Sequence, residues 1–589
     1  MDTQSDSSEA VCQELAHKWL DECLEQHSDC EPASAPLLPK RVLQISDEGD
    51  KPLLRLIEPK DIASRYIALS YCWGRSLNIK TETTNLELRK KGITWDELPN
   101  TFKDLIIMAK RFRILYLWID SLCIIQDSKP DWEIESTKMG KIYTDAFLVI
   151  AASNAPDCSS GFLGPRPALF QQDFHLVAGG QEENPFVVRA RQSLLHDDTS
   201  FYDKDILDKP DPLGQRAWAY QERILATRFL SFRMHEIVWT CQLAWHCECG
   251  ELKNMPSACA SGHPKDIAPY VDNSNEKATY YEWRSLIVPT FSARRLTFTS
   301  DRLPALSGLA TRVQRLVQDR YVAGLWQGDM PKALLWGGRY NYAGAYSPVD
   351  CTSPTFTWAS IERPVHYSGI LQQLIPRVDI LDISCTPSTL NVTGPVSGGH
   401  IVLRGRIVPA LLSLSCAMND EPFAEEHLCI VPHLNGLPHH FDDRGIYCGN
   451  FAVPDVPLAS KKPISKSIGN PYPTAIRPRG LAADPPTPAR HAPPRQTDTL
   501  EWCSCWCLLI GETPKLAEID IPGHVPYTAG QGARQPGYFG LVLARSALTE
   551  GAFERLALFG SNFPDDRTKL HESWREAWDA VEPIDVTII

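Results

Sequence analysis

The feature that most constrains the fold is an alternation of apolar runs and amphipathic segments between residues 66 and 152. It comprises three strand-like runs and two helical patterns, at residues 66–71, 100–112, 114–120, 128–143 and 146–152. The first helix places Phe102, Leu105 and Ala109 on one apolar stripe. Strands that are joined by helices pair in parallel through right-handed crossovers. The alternation therefore predicts an α/β domain with a parallel sheet covered on both faces.

The length of the chain, 589 residues, predicts more than one packed unit, because single cores stop growing at about 250–300 residues. We expect an α/β domain over residues 56–250 and a mixed, β-rich region after it. The other segments are assigned by composition as a helical preface over 1–55, an α+β region over 251–452, a Pro-rich and disordered insertion over 453–497, and strands with a final helix over 498–589.

Charge and cysteine content restrict the class of protein. The net charge of −13 argues against binding to a nucleic-acid backbone, which requires concentrated Lys and Arg. The first residues, MDTQSDSSEA, do not resemble a signal peptide, and no stretch approaches the ~20 apolar residues of a membrane span. The 18 cysteines are then expected to be reduced thiols. We predict a location in the cytoplasm or the nucleus.

Polar and aromatic residues follow each of the three predicted strands. Ligands of open parallel sheets bind beyond the carboxyl ends of the strands, and the predicted ligand-binding residues there are Ser70, Tyr71, Trp73, Gly74, Asp120, Ser121 and Ser153. Trp73 could stack on a flat ligand, and Gly74 permits close approach of the backbone. The alternative is that Tyr71 and Trp73 are core aromatics and that Ser70 caps a turn.

Glu135 is the candidate catalytic residue. At 100° per residue it shares the apolar face of the second helix with Trp132, Met139 and Tyr143. Burial of an unpaired carboxylate is costly and raises its pKa, so such a group is a candidate general base or stabiliser of a transition state. The alternative is a structural acid that is paired with an Arg or with backbone N–H groups.

No metal or cofactor is predicted. Cys23, His27 and Cys30 have spacing that could present zinc ligands, with Cys12 or His17 as a fourth ligand. The alternative, which we take as the default, is a set of buried thiols in the helical preface. The chain has neither a G-x4-G-K-[ST] phosphate loop nor a strand followed by G-x-G-x-x-G. ATP hydrolysis and Rossmann-type hydride transfer are therefore disfavoured.

Three blocks of the sequence resemble the fungal heterokaryon-incompatibility (HET) domain family. They are YIALSYCWG at residues 66–74, LYLWIDSLCIIQDSKPDWEIESTKMGKIYTDAFLVIAASNA at 115–155, and RAWAYQERILATRFLSF at 216–232. The preface WLDECLEQHSDC at 19–30 and several segments of the C-terminal half also resemble full-length fungal members. The Pro-rich insertion at 453–497 is the main departure.

The resemblance implies a role in nonself recognition between fungal strains, in which the HET domain triggers death of fused cells. It also implies a TIR- or flavodoxin-like fold, and some TIR domains cleave the glycosidic bond of NAD with a helix-borne Glu. TIR domains often carry Trp-Cys-x-x-Glu on that helix, whereas Trp132 and Glu135 are three residues apart here. NAD is thus a candidate substrate rather than a cofactor.

Three functional hypotheses follow from the resemblance. In the first, the domain is an enzymatic death effector, in which Trp73 and the turn at residues 70–74 hold a nucleotide, Asp120 orients a hydroxyl and Glu135 stabilises the reacting ribose. In the second, it is a non-enzymatic module that acts by self-association or by recruiting other incompatibility proteins. In the third, the chain is an inactive paralogue. In each case the C-terminal half would act as a sensor or as a restraint on the N-terminal domain.

Overall fold

The chain divides into two compact units. The N-terminal unit comprises Met1–Asn275, Arg294–Leu296 and Pro304–Val313, and the C-terminal unit comprises Glu276–Ala293, Thr297–Leu303 and Gln314–Ile589. The computed structural model describes residues 3–30, 35–47, 51–74, 79–167, 171–176, 186–191, 211–250, 276–338, 353–389, 391–413, 428–432, 450–454, 502–513, 537–546, 549–561 and 575–589. All but the first two residues of the predicted Pro-rich insertion lie outside the described residues.

The N-terminal unit is built on a nine-stranded sheet. Its strands, with a separate ribbon formed by β7 and β8, are β1 Val42–Ser46, β2 Leu53–Ile57, β3 Tyr66–Ser70, β4 Ile93–Thr94, β5 Tyr116–Trp118, β6 Leu148–Ala151, β7 Gln171–Leu176, β8 Phe186–Arg191, β9 Arg228–Phe232, β10 Ile237–Cys241 and β11 Trp245–Cys247. Its helices are α1 Ala10–Gln26, α2 Leu86–Lys91, α3 Asn100–Arg111, α4 Asp120–Cys123, α5 Lys129–Asp145 and α6 Ala217–Leu225, with short 3-10 helices at Ser28–Cys30 and Trp95–Glu97.

The order of the strands across this sheet is β11-β10-β9-β6-β3-β5-β1-β2-β4. Pairing is parallel among the four central strands, between β9 and β6, β6 and β3, and β3 and β5. The outer strands pair in antiparallel fashion on both sides. The expected α/β architecture is confirmed, but the sheet is mixed rather than wholly parallel. Few residues separate β1 from β2 and β9 from β10 in the sequence, and connections this short permit only antiparallel pairing.

The predicted helix after Ser128 has the expected start. The Ser128 side chain accepts a hydrogen bond from the Asp131 backbone N–H, and a proline occupies the first turn of α5. Both features favour a helix N-terminus, because proline lacks the N–H group that would otherwise have no partner there. The core lies between the central strands and the helices, and β3 and β6 are buried along their whole length.

The C-terminal unit is rich in β-structure, as expected. Its helices are α7 Glu276–Glu282, a π-helical turn Trp283–Ile287, α8 Val288–Ser292 and α9 Pro304–Val317, whose residues 304–313 belong to the N-terminal unit, with 3-10 helices at Thr299–Asp301, Gln327–Asp329, Lys332–Leu334, Trp358–Ser360 and Gly369–Gln373. Residues 575–579 are also helical.

The strands of the C-terminal unit form one ten-stranded sheet and two short two-stranded ribbons. They are β12 Tyr321–Val322, β13 Leu325–Trp326, β14 Trp336–Gly338, β15 Val365–Tyr367, β16 Ile375–Pro376, β17 Asp379–Pro387, β18 Val396–Gly405, β19 Ile407–Ser413, β20 Leu428–Pro432, β21 Asn450–Pro454, β22 Trp502–Thr513, β23 Gly537–Arg545, β24 Phe553–Ser561 and β25 Ile584–Ile588. Cys505 and Cys507 pack in the core of this sheet with Val542 and Phe559. None of the described helices of either unit has the length and apolar composition needed to cross a bilayer.

Two glycines of the N-terminal unit allow helices to touch. A Cβ atom at Gly140 of α5 would lie 2.7 Å from the Cα atom of Gly308 and 3.3 Å from Leu225 of α6. The Gly308 backbone N–H donates a hydrogen bond to the Gln221 side chain at 3.1 Å. Since backbone meets backbone at this crossing, no side-chain rotation can make room for a methyl group.

Replacing Gly140 by Ala should therefore destabilise the N-terminal unit. Alanine favours helices over glycine by about 1 kcal/mol, but overpacking of a closed interior costs about 1–3 kcal/mol or more, and here the neighbouring atom is backbone. We expect a lower melting temperature by calorimetry. Thr137→Ala, at an exposed position of the same helix, is the control, and an unchanged or raised melting temperature for Gly140→Ala would contradict the packing described.

Candidate functional site

The candidate site lies where the central parallel strands end. β3 is flanked by β5 on one side and by β6 on the other. The chain therefore leaves β3 for one neighbour and later crosses to the opposite side. Such a change of direction opens a crevice at the carboxyl ends of the strands, and ligands of α/β proteins bind there. β3 ends at Ser70, Asp120 follows β5, and Ser153 follows β6.

The buried acid of the site is Glu222 of α6, which is only 3% exposed. The Ser70 hydroxyl donates a hydrogen bond to its carboxylate at 2.5 Å. The Tyr143 hydroxyl donates to the Leu69 carbonyl oxygen at 3.0 Å and also lies beside this carboxylate. Burial raises the pKa of Glu222 to about 7, although Arg216 and the hydrogen bonds act to lower it. Glu222 is thus poised to titrate near neutral pH.

Asp120 is the second acid of the site and is only partly buried. The Trp73 indole N–H donates to its carboxylate at 2.8 Å, and the Ser121 backbone N–H donates to its other oxygen at 2.7 Å. The Tyr71 hydroxyl donates to the Ser121 hydroxyl oxygen at 2.9 Å. Burial raises the pKa of Asp120, against the opposing effects of Arg216 and these donors. Four of the predicted ligand-binding residues thus form one hydrogen-bonded chain.

Arg216 supplies a positive charge near both acids. It donates to the Tyr71 carbonyl oxygen. Burial acts to lower its pKa, but the nearby Glu222 and Asp120 charges outweigh burial and raise it. Two carboxyl groups share one guanidinium, so ionisation of both would leave an uncompensated buried charge. One carboxyl is therefore held protonated more readily than an isolated acid, and the pair titrates as a unit. We call Ser70, Asp120, Arg216 and Glu222 the acid–arginine cluster.

Gly74 and Ser153 complete the edge of the site. Gly74 has a φ of 80°, and a Cβ atom there would lie 2.2 Å from the Asp157 Cβ atom. Only glycine fits this position, because both the backbone conformation and the space exclude a side chain. The Ser153 and Ser231 hydroxyls are hydrogen-bonded at 2.7 Å and are buried. Ser153 therefore links β6 to β9 at the rim.

Glu135 is buried, with 2% of its surface exposed, but it lies in a different cluster. The Lys138 ammonium donates to its carboxylate at 3.0 Å, and the Lys40 ammonium lies 3.9 Å away. Lys40 and Arg41 both bind Asp131, one turn earlier on α5. We call these five residues the α5 ion-pair cluster.

The Glu135 carboxylate is paired with lysines, whereas the Ser70 hydroxyl is hydrogen-bonded to the carboxylate of Glu222. Glu135 precedes Tyr143, which lies beside Glu222, by eight residues of α5, or about 12 Å along the helix axis. The α5 ion-pair cluster and the acid–arginine cluster are therefore separate features of the N-terminal unit. A catalytic role for Glu135 stays a prediction.

Arg216 and Glu222 are the residues that the sequence analysis did not single out. Both lie inside the third block, at residues 216–232, and the signal was present. Glu222 follows Ala219 by three residues and precedes Leu225 by three, so it occupies the buried face of α6. Like Glu135, Glu222 is a carboxylate on the apolar face of a helix, and the cation next to it in the sequence, Arg223, lies on another face of that helix.

The cysteine and histidine residues of the preface also converge. Cys23, His27 and Cys30 lie together with Cys241, the last residue of β10. The two residues predicted as a fourth partner have other contacts. The Cys12 thiol lies 3.8 Å from the Glu248 carboxylate, and the His17 ring packs on Phe112 with centroids 4.6 Å apart.

Residues 66–222 match a protein-family model described as Heterokaryon incompatibility protein (HET). No curated protein and no solved structure matches the chain. The matched stretch begins at the first residue of β3 and ends at Glu222. It therefore contains the whole acid–arginine cluster.

Replacing Glu222 by Gln should flatten the pH dependence of stability around the site. The pKa of Glu222 is about 7 in the folded chain, against 4.5 for an ordinary glutamate. A raised pKa means that the folded state holds the proton more tightly, so the stabilisation is fully present below about pH 4.5 and is lost as pH rises through about 7. Asp120 acts in the same direction, because its pKa is also raised.

The measurement is amide hydrogen exchange of β3 and β6, corrected for intrinsic rates, which gives the local free energy of opening. A local measurement is needed because a chain with two units does not have one global free energy of unfolding. We expect wild-type protection to fall between about pH 5 and 8, and to fall less in Glu222→Gln. Glu133→Gln, which removes a more exposed carboxylate of α5, should behave as wild type. If protection falls equally with pH in wild type and in Glu222→Gln, the pH dependence does not come from Glu222.

Proposed function

Because residues 66–222 of this chain are a HET domain, we propose that it is a heterokaryon-incompatibility-type regulator whose HET domain triggers cell death or growth arrest. We further propose that the domain acts as an enzyme that cleaves the glycosidic bond of NAD. The observation that carries this proposal is the acid–arginine cluster at the ends of the parallel strands. Burial raises the pKa of both acids, and the nearby cation, Arg216, offsets this effect only in part.

The outer residues of the cluster and the adjacent Trp73 have the composition of a substrate site. Asp120, Trp73 and Arg216 are each partly exposed, whereas Ser70 and Glu222 are buried behind them. The Asp120 carboxylate is held by two N–H donors and is partly buried. It is therefore preorganised, because it needs no rearrangement when charge develops nearby. Trp73 offers a flat face for a base. Asp120 is therefore the group that would touch a substrate, and Glu222 is a positioning residue.

The proposed reaction consumes water and needs no other co-reactant. The bond between the nicotinamide nitrogen and the ribose anomeric carbon breaks, and its electron pair leaves with nicotinamide. Water adds to the anomeric carbon, and one proton is released. The ionised Asp120 stabilises the positive charge that develops on the ribose, while Arg216 and Glu222 hold the backbone and hydroxyl groups around it in place.

A second candidate function is a non-enzymatic signalling module. The observation that favours it is that the charges of the acid–arginine cluster act on one another, since structural networks of charged groups also shift pKa values. In that case the domain would act by self-association or by recruiting other incompatibility proteins, and the cluster would only stabilise the strand ends. An inactive paralogue would have the same cluster without toxicity.

Inducible expression of the full-length chain tests the proposal, with cell viability and cellular NAD followed together. We expect wild type to lower both. Asp120→Asn should reduce the rate of NAD consumption by about 10²–10³-fold, because one preorganised electrostatic contact is lost. Glu222→Gln should lower the rate less and shift its pH profile. Asp127→Asn, which changes an exposed aspartate seven residues further on, is the matched control and should remain toxic.

Glu135→Gln decides between the two buried glutamates. If Glu135→Gln stops NAD loss and Asp120→Asn does not, the chemistry belongs to α5 rather than to the acid–arginine cluster. Cell death at constant NAD, or purified protein that never consumes NAD in any oligomeric state, would rule out the enzymatic proposal. Death that persists in Asp120→Asn with normal protein levels would then favour the signalling module.

A further inference from the structure

Four potential metal ligands converge in the N-terminal unit from segments that are far apart in the chain. Cys23 and His27 lie one turn apart at the end of α1, Cys30 ends the 3-10 helix that follows, and Cys241 ends β10. One ligand atom from each residue lies within 4.8 Å of the ligand atoms of the other three. The sequence alone showed only the first three, because Cys241 is more than two hundred positions away.

The distances suit one tetrahedral ion. Zinc binds cysteine sulfur at about 2.3 Å and histidine nitrogen at about 2.0 Å, so a tetrahedral site separates sulfur atoms by about 3.8 Å and sulfur from nitrogen by about 3.5 Å. The Cys241 Sγ atom lies 3.3 Å from the His27 Nδ1 atom. A cluster with this spacing needs no large movement of the backbone to close around an ion.

From this geometry we propose that Cys23, His27, Cys30 and Cys241 form a structural zinc site. Three thiolates and one imidazole are a common ligand set of closed zinc sites, and soft sulfur ligands disfavour magnesium and calcium. Cys23, Cys30 and Cys241 are at most 1% exposed. With four protein ligands no coordination position remains for water, so the ion has a structural role rather than a catalytic one.

The groups around the ligands already suit an anionic centre. The Gln242 backbone N–H donates to the Cys30 thiol group, a contact that stabilises a thiolate. The Arg228 guanidinium, whose side chain is 1% exposed, donates to the Cys30 and Phe147 carbonyl oxygens at 2.6 and 3.2 Å. Within the described part of the chain, Arg228 has no carboxylate partner. Three thiolates and one zinc ion carry a net negative charge, which would offset this buried cation.

The site would fasten the two segments that flank the HET domain. Residues 23–30 precede the matched stretch 66–222, and Cys241 follows it. Their attachment closes a very long loop, and closing a long loop removes conformational freedom from the unfolded chain. The zinc ion therefore holds α1 on the β10 side of the sheet. This proposal does not depend on any enzymatic activity of the domain.

The test uses the full-length chain, purified under reducing conditions without chelators and without a histidine tag. Elemental analysis should find about one zinc per chain. Cys241→Ser should lower the zinc content at least about tenfold, because one of four ligands is lost. Cys12→Ser, which changes a buried thiol of the same helix outside the four ligands, should retain wild-type zinc.

Two further measurements on the wild-type chain remain informative if Cys241→Ser does not fold. Exchange of zinc for cobalt should give thiolate charge-transfer bands and the visible bands of tetrahedral cobalt. Removal of the metal with a chelator should lower the melting temperature, and added zinc should restore it while magnesium does not. Wild-type protein with no zinc and an octahedral cobalt spectrum, full zinc retention in Cys241→Ser, or a disulfide between two of the four cysteines would each overturn the proposal.

Discussion

Much of the N-terminal unit depends on how it accommodates charge in a dry interior. Asp120, Arg216 and Glu222 lie at the ends of strands that are themselves buried, and each would be costly to bury alone. The single guanidinium stabilises both acids only in part, since it cannot neutralise two negative charges at once. The proton that compensates the remainder is held near neutral pH. The cluster therefore combines a structural requirement with a chemically useful property.

The α5 ion-pair cluster shows the other solution to the same problem. Asp131 and Glu135 are also buried, yet two lysines and Arg41 place positive charge beside them. The pKa of Asp131 is lowered despite burial, because Lys40, Arg41 and a backbone N–H stabilise its charge. Arg41 also donates to the Cys123 carbonyl oxygen at 2.7 Å. This cluster fastens the segment before β1 to α4 and α5, as a structural ion pair would.

Local pattern predicted the central strands and helices, because apolar periodicity reports burial over a few residues. The same reasoning located Ser70, Trp73 and Asp120 at one edge, since parallel strands end together. It could not identify Arg216 as the cation of this edge, because a distance of almost one hundred residues separates it from Asp120. It also could not find Cys241, which completes the cysteine and histidine group of the preface. The antiparallel pairing of the outer strands was not predicted for a related reason: pairing partners are set by the tertiary fold rather than by the strands themselves.

The close contact of Gly140 with Gly308 has a consequence for how the chain can be divided. The N-terminal unit takes in residues 294–296 and 304–313, after the chain has already entered the C-terminal unit at residue 276. No single cut of the polypeptide can release the complete N-terminal unit without residues of the C-terminal unit. After cleavage anywhere between residues 251 and 275, Gly140 and Gly308 would lie on separate fragments, which can dissociate from one another. Excised fragments of this protein should therefore be less stable than the same residues within the whole chain.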